Sequence, residues 1–304
     1  MNRPTARPAT RPAAPSRDMA APVAVVVLTH NRRREVLRTM ARLAALPEAP
    51  PLCVVDNGSG DGTAVALARR FPQVRLVHLE HNAGAAGRNA GAQAVHADYV
   101  AFCDDDTWWA PGSLAEAVRL LDEHAGLAVV TARVLVGSRE REDPTCAIMA
   151  ASPVPAPPGF PGTAVVGFLA GACVMRRSAF LLAGGFEPRL LIGGEEALLA
   201  LDLMAAGWWL GYAPALVVHH HPSTHRDSLR RRQLLLRNAL WCAWLRRPAR
   251  SAWRETRRRL REARRDPQLL RGVAEAIAGL PWTLASRRVI PPTVERQLQR
   301  VEAA

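Results

Sequence analysis

The stretch that most constrains the fold is the apolar run at residues 99–103, which ends in three consecutive aspartates, Asp104, Asp105 and Asp106. The run has the length and composition of a buried strand. Carboxylates at the end of a buried strand require a positive partner, and a hard divalent cation is the obvious candidate because it takes oxygen ligands and bridges to phosphates. Taken alone, the triplet fits equally well a solvated acidic turn ahead of the helix that follows Pro111.

Further apolar runs alternate with helical segments along the chain. The patterns predict strands at residues 23–28, 52–56, 74–79, 127–136, 167–175 and 208–218, and helices at 35–46, 63–70, 111–123, 178–183 and 195–206. Alternation of strand, loop and helix is typical of βαβ units, whose helices cover both faces of a parallel sheet. We therefore expect an α/β fold with a mostly parallel sheet that binds its ligands at the carboxyl ends of the strands.

Polar or glycine-rich loops follow the first three strands and should open on the same edge as the aspartates. Asp56 ends the second strand, where its carboxylate suits a base N–H or ribose hydroxyls. In the third loop, Gly84, Gly87 and Gly91 would let the backbone approach a diphosphate, with Arg88 as its counter-charge. Each loop alone is explained by turn chemistry, because turns require Asn, Asp and Gly anyway. Three aligned loops beside an acidic triplet favour a ligand site.

The second half of the chain adds fewer signals. Residues 137–163 are rich in proline and too long for a plain connector, which predicts a flexible loop near the site. Glu195 and Glu196 open a predicted helix, where acidic residues also favour the helix dipole. Residues 219–221 are three histidines at a strand end. Alternation along a strand points His219 and His221 one way and His220 the other, so one of the two faces could reach a metal, and which histidine does so stays open.

The net charge of +13 is concentrated in two segments. Residues 1–21 carry 4 arginines and 1 acidic residue, and residues 226–304 carry 20 arginines and 7 acidic residues, so residues 22–225 are mildly acidic. This distribution argues against a nucleic-acid-binding core and for a basic appendage that meets an anionic surface. We predict a disordered tail at 1–21, a catalytic α/β domain at 22–225 and an arginine-rich helical extension at 226–304.

Two interpretations of the extension remain open from the sequence. Its predicted helices, residues 229–245 and 251–265, carry Trp241, Trp244 and Trp253 among the arginines. Tryptophan and arginine on an amphipathic helix are typical of an interfacial membrane helix. Alternatively, the helices pack on the catalytic body or on a sister subunit, with arginine side chains extended outward. A homodimer through these helices is likewise left open.

The cysteines and the hydropathy pattern bear on the compartment. The five cysteines are scattered without a CxxC motif, which is typical of buried thiols in a reducing compartment. No secretory signal is visible, and no apolar run approaches the ~18 residues of a membrane span. We expect a cytoplasmic protein, with peripheral association at the inner face of the membrane as a further hypothesis.

The ordered set of motifs resembles that of the family 2 inverting glycosyltransferases, which have the GT-A fold, and a rhamnosyltransferase-like subgroup is one alternative within them. The resemblance covers about residues 22–225. The matching motifs are Thr29-His-Asn-Arg32, Val55-Asp-Asn-Gly-Ser59, Asp61-Gly-Thr63, Asn82-x-Gly84, Arg88-Asn89-x-Gly91, Asp104-Asp-Asp106, Gly184-Gly-Phe186, Glu195-Glu196, Ala206-Gly-Trp208 and Val217-Val-His219.

The resemblance implies a nucleotide-sugar donor, a UDP-, dTDP- or GDP-sugar, and a glycan or lipid-linked acceptor. It assigns Asp104 and Asp106 to the family's DxD motif, with Asp104 at the ribose or metal and Asp106 on Mn²⁺ or Mg²⁺. His219 matches a histidine that helps to hold metal or diphosphate in some members. The other residues implied in donor binding are Thr29, Asn31, Arg32, Asp56, Asn82, Gly84, Arg88 and Asp105.

The resemblance places the general base in the pair Glu195 and Glu196, with Glu196 at the position of the family's catalytic Asp. Gly185, Phe186 and Trp208 fall in the implied acceptor region. The pair is Glu-Glu here rather than Glu-Asp, and Leu198 stands where a further acid is common, so the choice between the two glutamates stays open. Such a base would deprotonate the acceptor hydroxyl during direct, inverting displacement.

Three other functions compete with this interpretation. A nucleotidylyltransferase would share the sheet and the metal-binding carboxylates, but it should carry a glycine-rich loop after the first strand, where residues 29–34 contain no glycine. A non-catalytic binding or scaffold protein would bind nucleotide without transfer, which the two glutamates argue against. A nucleic-acid binder rests on the overall charge alone, and no RNA- or DNA-binding motif is present.

Overall fold

The computed structural model describes residues 21–222 and 228–304. The first twenty residues of the predicted tail and the junction predicted at 225/226 lie outside the described residues. Within the described part, no helix combines the length and apolar character required to cross a bilayer.

One mixed sheet forms the centre of the fold. Its strands are β1 (Val23–Thr29), β2 (Leu52–Asp56), β3 (Arg75–His78), β4 (Tyr99–Asp104), β5 (Thr107–Trp109), β6 (Leu127–Val136), β7 (Arg141–Glu142), β8 (Thr163–Val165), β9 (Ala172–Arg176) and β10 (Trp209–His220). The main order is β3-β2-β1-β4-β9-β6-β10-β5, with β7 on β6 and β8 on β10.

The predicted mostly parallel sheet is confirmed on the side that carries the motifs. β1 pairs in parallel with β2 and β4, and β2 with β3, so their polar ends share one edge. β9 is the main exception, because it runs antiparallel between β4 and β6. β10 is parallel to β6 and therefore also ends at the edge where β4 ends.

The described residues contain twelve α-helices. They are α1 (Arg33–Ala44), α2 (Thr63–Arg70), α3 (Gly87–Ala94), α4 (Ser113–Glu123), α5 (Pro144–Ala150), α6 (Arg177–Leu182), α7 (Glu195–Ala205), α8 (Ser228–Arg246), α9 (Ala249–Arg265), α10 (Leu270–Ala278), α11 (Leu280–Ala285) and α12 (Pro292–Ala303). The helices α8 to α11 pack on one another in a second cluster beside the sheet. In α1, Val36, Met40 and Leu43 recur at helical spacing and are fully buried against the sheet.

The segment predicted as an irregular loop, residues 137–163, is partly structured, and the prediction is corrected there. It contains β7 and α5. Asp143 caps α5 by accepting from the backbone N–H of Thr145 at 2.8 Å, and Pro144 occupies the first turn. An aspartate followed by proline is a strong helix start, which explains the extra element.

The five cysteines are buried and free, as the sequence predicts. They fill apolar space on the strands β2, β4 and β9 and on the helices α5 and α8. Burial raises the pKa of these thiols, which keeps them protonated and unreactive at neutral pH.

The helical extension packs against the catalytic body, so one of the two interpretations of the sequence is confirmed for α8. Asn238 on α8 donates to the backbone oxygen of Leu190 at 2.8 Å, and Arg246 forms an ion pair with Asp202 on α7. Trp241 is buried and donates to the backbone oxygen of Ala276 at 3.0 Å. The predicted membrane face of α8 therefore belongs to the interior.

Candidate active site

The three consecutive aspartates occupy different environments at the carboxyl end of β4. The Asp104 side chain is 42% exposed, whereas those of Asp105 and Asp106 are 6% and 3% exposed. β4 ends at Asp104, and Asp105 and Asp106 form the turn that follows it, where both carboxylates lie against Arg32. Only Asp104 has a carboxylate that is freely accessible from solvent, and the other two must be satisfied by protein groups.

Asp105 is held by residues from the loop after β1. Thr29 donates its hydroxyl to Asp105 at 3.0 Å, Arg32 donates at 2.5 Å, and Thr39 donates to the backbone oxygen of Asp105 at 2.8 Å. Burial raises the pKa of Asp105 to about 7, against the opposing charge of Arg32. Thr29 was predicted to bind the nucleoside, but its side chain is buried and serves to anchor Asp105 instead.

Asp106 lies between Arg32 and a histidine of β10. Arg32 donates to Asp106 Oδ2 at 3.1 Å, and His220 Nε2 lies 3.5 Å from Asp106 Oδ1. Burial disfavours the charged form of Asp106, but the neighbouring His220 and Arg32 outweigh it and lower the pKa of this carboxyl. Asp106 is therefore an anion at neutral pH in a buried position.

The prediction that His219 faces the acidic cluster is wrong. His219 Nδ1 lies 3.1 Å from Glu140, and its ring stacks on Trp108, which also contacts His221. The three histidines do alternate between the two faces of β10. Which of them faces the aspartates is decided by the antiparallel pairing of β10 with β5, in which His220 lies opposite Thr107. His220 is thus the histidine that reaches the site.

Asp106 and His220 are the residues that fit a divalent cation. His220 Nε2 is buried and has no hydrogen-bond partner, although it points at Asp106 Oδ1. A carboxylate oxygen suits Mn²⁺ or Mg²⁺, and a histidine nitrogen is a common metal ligand. Among residues 21–222 and 228–304, no group of three or more His, Cys, Asp or Glu side chains is arranged for a metal ion, so a cation here would draw further ligands from substrate and water.

Arg88 connects the aspartates to the glutamate pair. Its buried guanidinium donates to Asp104, and its charge also faces Glu195 and Glu196. Burial disfavours the positive charge, yet these three carboxylates raise the pKa of Arg88 above its usual value. Arg88 was predicted to lie at the base or diphosphate of the donor, but its side chain is 7% exposed and lies beneath the cleft.

The two glutamates at the start of α7 have distinct surroundings. Glu196 is partly exposed, and its Oε1 accepts from the backbone N–H of Ala170 at 2.7 Å. Burial, together with the charge of Glu195, raises the pKa of Glu196 to about 7. Glu195 is buried, its Oε2 has no hydrogen-bond partner, and burial raises its pKa as well. Glu196 is the better placed of the two to meet a substrate.

The loops after β1 and β2 are tied together at the rim of the site. Asn31 accepts from the backbone N–H of Gly60 at 2.8 Å, and its own N–H donates to Ser59 at 2.9 Å. Asp56 is fully buried, accepts from the backbone N–H of Ser59 at 3.2 Å and lies 3.0 Å from His78 Nδ1. Asn31 remains exposed at the rim, whereas Asp56 shapes the loop beneath it.

Asn57 is a site residue that sequence reasoning missed. It is buried, donates to Asn82 Oδ1 and to the backbone oxygen of Gly84, both at 2.9 Å, and accepts from the N–H of Ala83. The side-chain oxygen of Asn82, a predicted donor-binding residue, accepts hydrogen bonds from Asn57 and from the N–H of Gly84. The Asn at position 57, directly after Asp56, was the available signal.

The glycine-rich loop touches the segment that leads to α7. Gly84 has a φ of +62°, and a Cβ there would lie 2.0 Å from the backbone oxygen of Leu191. The N–H of Ala85 donates to that same oxygen at 2.6 Å. Only glycine permits this approach, which brings the predicted donor loop against the chain four residues before Glu195.

Two of the predicted acceptor residues, Gly185 and Phe186, belong to the packing beneath the site, where the Phe186 ring centroid lies 5.9 Å from the guanidinium carbon of Arg88. Phe186 is fully buried and packs against Phe102 and Phe180, with ring centroids 5.9 and 5.4 Å away. Gly185 has a φ of +69° and lies against Asn89, which bonds both backbone groups of Phe186. The Gly184-Gly-Phe186 motif is therefore explained by its structural role, in which a Gly-Gly turn places the Phe186 ring in the aromatic core.

Trp208 lies at the opposite edge of the sheet, so its assignment to the acceptor region is wrong. It contacts Arg176, whose register partner is Tyr99 at the start of β4. Because β10 runs parallel to β6, residues just before β10 lie at the amino ends of the parallel strands. The aspartates lie at the carboxyl ends.

Comparison with known proteins identifies the family. Residues 24–181, more than half of the chain, match the model of the family described as Glycosyl transferase family 2. The chain belongs to glycosyl transferase family 2. It is therefore a glycosyltransferase, and family membership decides against the nucleotidylyltransferase alternative.

Two curated relatives come from Mycobacterium tuberculosis. The N-acetylglucosaminyl-diphospho-decaprenol L-rhamnosyltransferase is 32% identical over 239 residues, which cover 67% of this chain and 78% of the relative. The pre-mycofactocin glycosyltransferase is 30% identical over 229 residues, which cover 73% of this chain and 47% of the relative.

Solved structures share the fold at lower identity. The mannosyltransferase PcManGT from Pyrobaculum calidifontis, in complex with GDP-Man and Mn²⁺, superposes with a TM-score of 0.57 at 20% identity, over 93% of this chain and 75% of that one. TarS of S. aureus gives a TM-score of 0.53 at 18% identity, over 72% of this chain but only 39% of TarS. The fold is that of the GT-A glycosyltransferases.

Proposed function

We propose that this family 2 glycosyltransferase is metal-dependent and inverting, and that it moves a sugar from a nucleotide-sugar donor to a hydroxyl of a glycan or lipid-linked acceptor. The observation that carries the proposal is the buried guanidinium of Arg88, which shares its charge between Asp104 and the pair Glu195 and Glu196. A donor-side carboxylate and a candidate base belong to one charge network.

Glu196 is the proposed general base. Its pKa of about 7 suits proton abstraction at neutral pH, because a base is most effective when its pKa lies near the working pH. The N–H of Ala170 fixes Oε1 and leaves Oε2 to take the proton of the acceptor hydroxyl. The hydroxyl oxygen would attack the anomeric carbon directly, on the face opposite the leaving group, and so invert its configuration.

Asp106 and His220 are the proposed metal-binding residues. When bound, a divalent cation would neutralise the charge that develops on the departing nucleoside diphosphate. Arg32 holds the Asp106 carboxylate in place by donating to its other oxygen at 3.1 Å. The Mn²⁺ in PcManGT and in GalNAc-T7, which is solved with UDP, GalNAc and Mn²⁺ at a TM-score of 0.57 and 14% identity, supports the same cation for this chain.

The relatives support candidate substrates. We propose a UDP-, dTDP- or GDP-sugar as donor, in keeping with the UDP-GlcNAc of a TarS complex and the GDP-Man of PcManGT. The name of the rhamnosyltransferase relative supports an L-rhamnosyl donor and a sugar diphosphate linked to a polyprenol as acceptor. Among the acceptor classes, we therefore favour the lipid-linked one.

A thermal-shift panel tests the donor site. Nucleoside diphosphates and nucleotide sugars would each be added with Mn²⁺, Mg²⁺ or EDTA. A ligand at about 100 times its dissociation constant stabilises a protein by ~2.7 kcal/mol, which is readily detected. We expect one nucleotide to raise the melting temperature only with metal. The shift should vanish in Asp106→Ala and persist in Glu116→Ala, a matched carboxylate on the exposed surface of α4.

Transfer is then tested with the selected donor and a short-chain polyprenyl-diphospho-N-acetylglucosamine acceptor. Formation of the glycosylated lipid, with the anomeric configuration assigned by NMR, would support the proposal. Retention of configuration, or a nucleotide shift that is unaffected by EDTA, would overturn its mechanistic part. Nucleotide binding without transfer to any hydroxyl would favour the non-catalytic alternative.

A further inference from the structure

An exposed apolar stripe runs along α10 and α11, two helices of the arginine-rich extension. Leu270, Ile277 and Leu284 recur at intervals of seven residues and are 54%, 60% and 54% exposed. Ala274 and Pro281 fall between them, Ala285 follows Leu284, and all three are exposed as well. Gly279, between α10 and α11, keeps a near-helical backbone with φ −86° and ψ 0°. At 100° per residue these six side chains therefore lie within an arc of about 100°, on one side of the two helices.

The opposite face of the same helices is satisfied by the protein. Gly272, Ala276 and Thr283 are buried there. Gly279 lies against the indole of Trp241, which a Cβ at that position would contact at 2.4 Å. The helices are thus amphipathic with their apolar inner side already packed on α8, and the second apolar side faces outward without a partner in the described part of the chain.

The charges around the stripe are positive. Glu275, the acidic residue of α10, is occupied by ion pairs with Arg230, Arg237 and Arg271. Arg287 donates to the backbone oxygens of Trp244 and Arg247, so these contacts do not neutralise its charge. Arg288 is exposed at the end of the stripe.

A cavity of about 360 Å³ opens beside the end of the stripe. Its walls include Arg189, Arg246, Arg287, Arg288, Trp282 and Ala285. Two negative charges are near, because Glu187 also lines the cavity and Asp202 pairs with Arg246. The arginines outnumber these carboxylates, and guanidinium groups bind phosphate oxygens well.

We infer that the α10–α11 stripe docks on an anionic bilayer surface, with the neighbouring arginines at the level of the lipid phosphates. A helix face that is apolar in its middle and cationic at its margin matches the interface of such a bilayer, where apolar side chains enter the acyl boundary and cations meet the headgroups. A second copy of the chain would bring the same arginines together, and like charges oppose that contact. The inference rests on the proposed lipid-linked acceptor for its purpose, which is to hold the transferase where that acceptor lies.

Vesicle co-sedimentation of the full chain tests the inference. The vesicles would contain phosphatidylglycerol and phosphatidylcholine in equal parts, or phosphatidylcholine alone. We expect the protein to bind the anionic vesicles at low salt, and the triple variant Leu270→Gln/Ile277→Gln/Leu284→Gln to bind them about a hundredfold more weakly. The matched control is Val65→Gln/Ile148→Gln/Leu182→Gln, which changes three exposed apolar residues of the catalytic body and should bind like the parent.

The arginine part of the surface has its own variant. Arg287→Gln/Arg288→Gln should weaken binding to the anionic vesicles and flatten its salt dependence, because fewer cations meet the headgroups. The inference would be overturned if the triple variant and Arg287→Gln/Arg288→Gln both bound the anionic vesicles as tightly as the parent does. The inference would also be wrong if the stripe served only self-association. In that case sedimentation velocity would show a dimer of the parent and a monomer of the triple variant, and the triple variant would still bind vesicles.

The nucleotide thermal shift separates this inference from the proposed function. The triple variant should keep the melting temperature and the metal-dependent nucleotide shift of the parent, which shows that it is folded. A parent that shows the shift but does not bind vesicles would overturn the docking surface alone. A parent that binds vesicles without any nucleotide shift would overturn the proposed function alone.

Discussion

His220 Nε2 lies 3.5 Å from Asp106 Oδ1 at the carboxyl edge of the sheet. The neighbouring His219 turns to the other face and meets Glu140. One histidine of three adjacent ones is therefore in a position to share a cation with the acidic cluster.

This relationship predicts a clear difference between two alanine variants. His220→Ala should abolish the metal-dependent part of the nucleotide thermal shift, since it removes the nitrogen that faces Asp106. His219→Ala is the matched control and should retain that shift. The His219 ring stacks on Trp108, with ring centroids 5.6 Å apart, on the face of the strand that points away from the aspartates. If the two variants behave in the reverse order, the proposed cation site lies on the other face.

The pKa of Glu196 predicts the pH dependence of transfer. A general base must be ionised, so kcat/KM should rise with pH through about 7, where this carboxyl loses its proton. Glu196→Gln should lower transfer by roughly 10²–10⁴-fold while leaving nucleotide binding in place. Glu195→Gln should keep a pH-dependent rate but move its rise to lower pH, because it removes the negative charge that helps to raise the pKa of Glu196. A pH profile that disappears only in Glu195→Gln would reassign the base.

The same carboxyl predicts an effect on folding stability with the opposite sense. Its pKa is raised from 4.5 to about 7 by burial, so the folded state binds this proton more tightly than the unfolded state. The free energy of unfolding should therefore fall as pH rises between these values. Urea unfolding at several pH values measures this slope, which Glu196→Gln should reduce. An unchanged slope would show that the proton affinity of Glu196 is ordinary.

Arg88 should be more important for stability than any surface arginine. Arg88→Ala leaves Asp104, Glu195 and Glu196 without their shared counter-charge, and breaking a buried ion pair in this way costs about 3–5 kcal/mol. The loss should be smaller at low pH, where the carboxyls are protonated. Arg119→Ala, in an exposed ion-pair cluster on α4, is the control and should change urea unfolding far less. If Arg88→Ala and Arg119→Ala lowered the free energy of unfolding equally, Arg88 would not be the counter-charge that links Asp104 to the glutamate pair.

Gly84→Ala should separate a steric contact from backbone strain. A side chain at a positive φ costs about 1–3 kcal/mol, and at position 84 its Cβ would also collide with the backbone oxygen of Leu191. Gly112→Ala, at a φ of +83° with open space around it, measures strain alone. We expect Gly84→Ala to lower both the unfolding midpoint and nucleotide affinity more than Gly112→Ala does. Matching losses would mean that the loop moves away from Leu191 at little cost.

Local signals in the sequence were sufficient for most of the fold. β2 and β6 and the helix α2 begin and end where their apolar patterns predict. The short strand β5 was missed because three residues carry no periodicity, and its pairing partner β10 lies about a hundred positions away in the chain. The antiparallel direction of β9 is likewise a property of the assembled sheet rather than of its own residues.

The site shows where sequence reasoning fails and why. It identified the aspartates and the glutamate pair, because clustered carboxylates at element ends are visible in one dimension. It could not choose between His219 and His220. Alternation shows that neighbouring residues of a strand lie on opposite faces, but it does not show which face meets the aspartates. It also treated Arg88 and Phe186 as ligand contacts, although both are buried. Whether an arginine in a glycine-rich loop faces solvent or a buried carboxylate depends on the packing of α3.

The contact between the N–H of Ala85 and the backbone oxygen of Leu191, 2.6 Å long, has a mechanical consequence. It ties the loop proposed to meet the donor to the segment that leads to Glu195 and Glu196. We therefore expect a nucleotide that shifts the loop also to shift the start of α7, so that donor and acceptor binding are coupled through this contact.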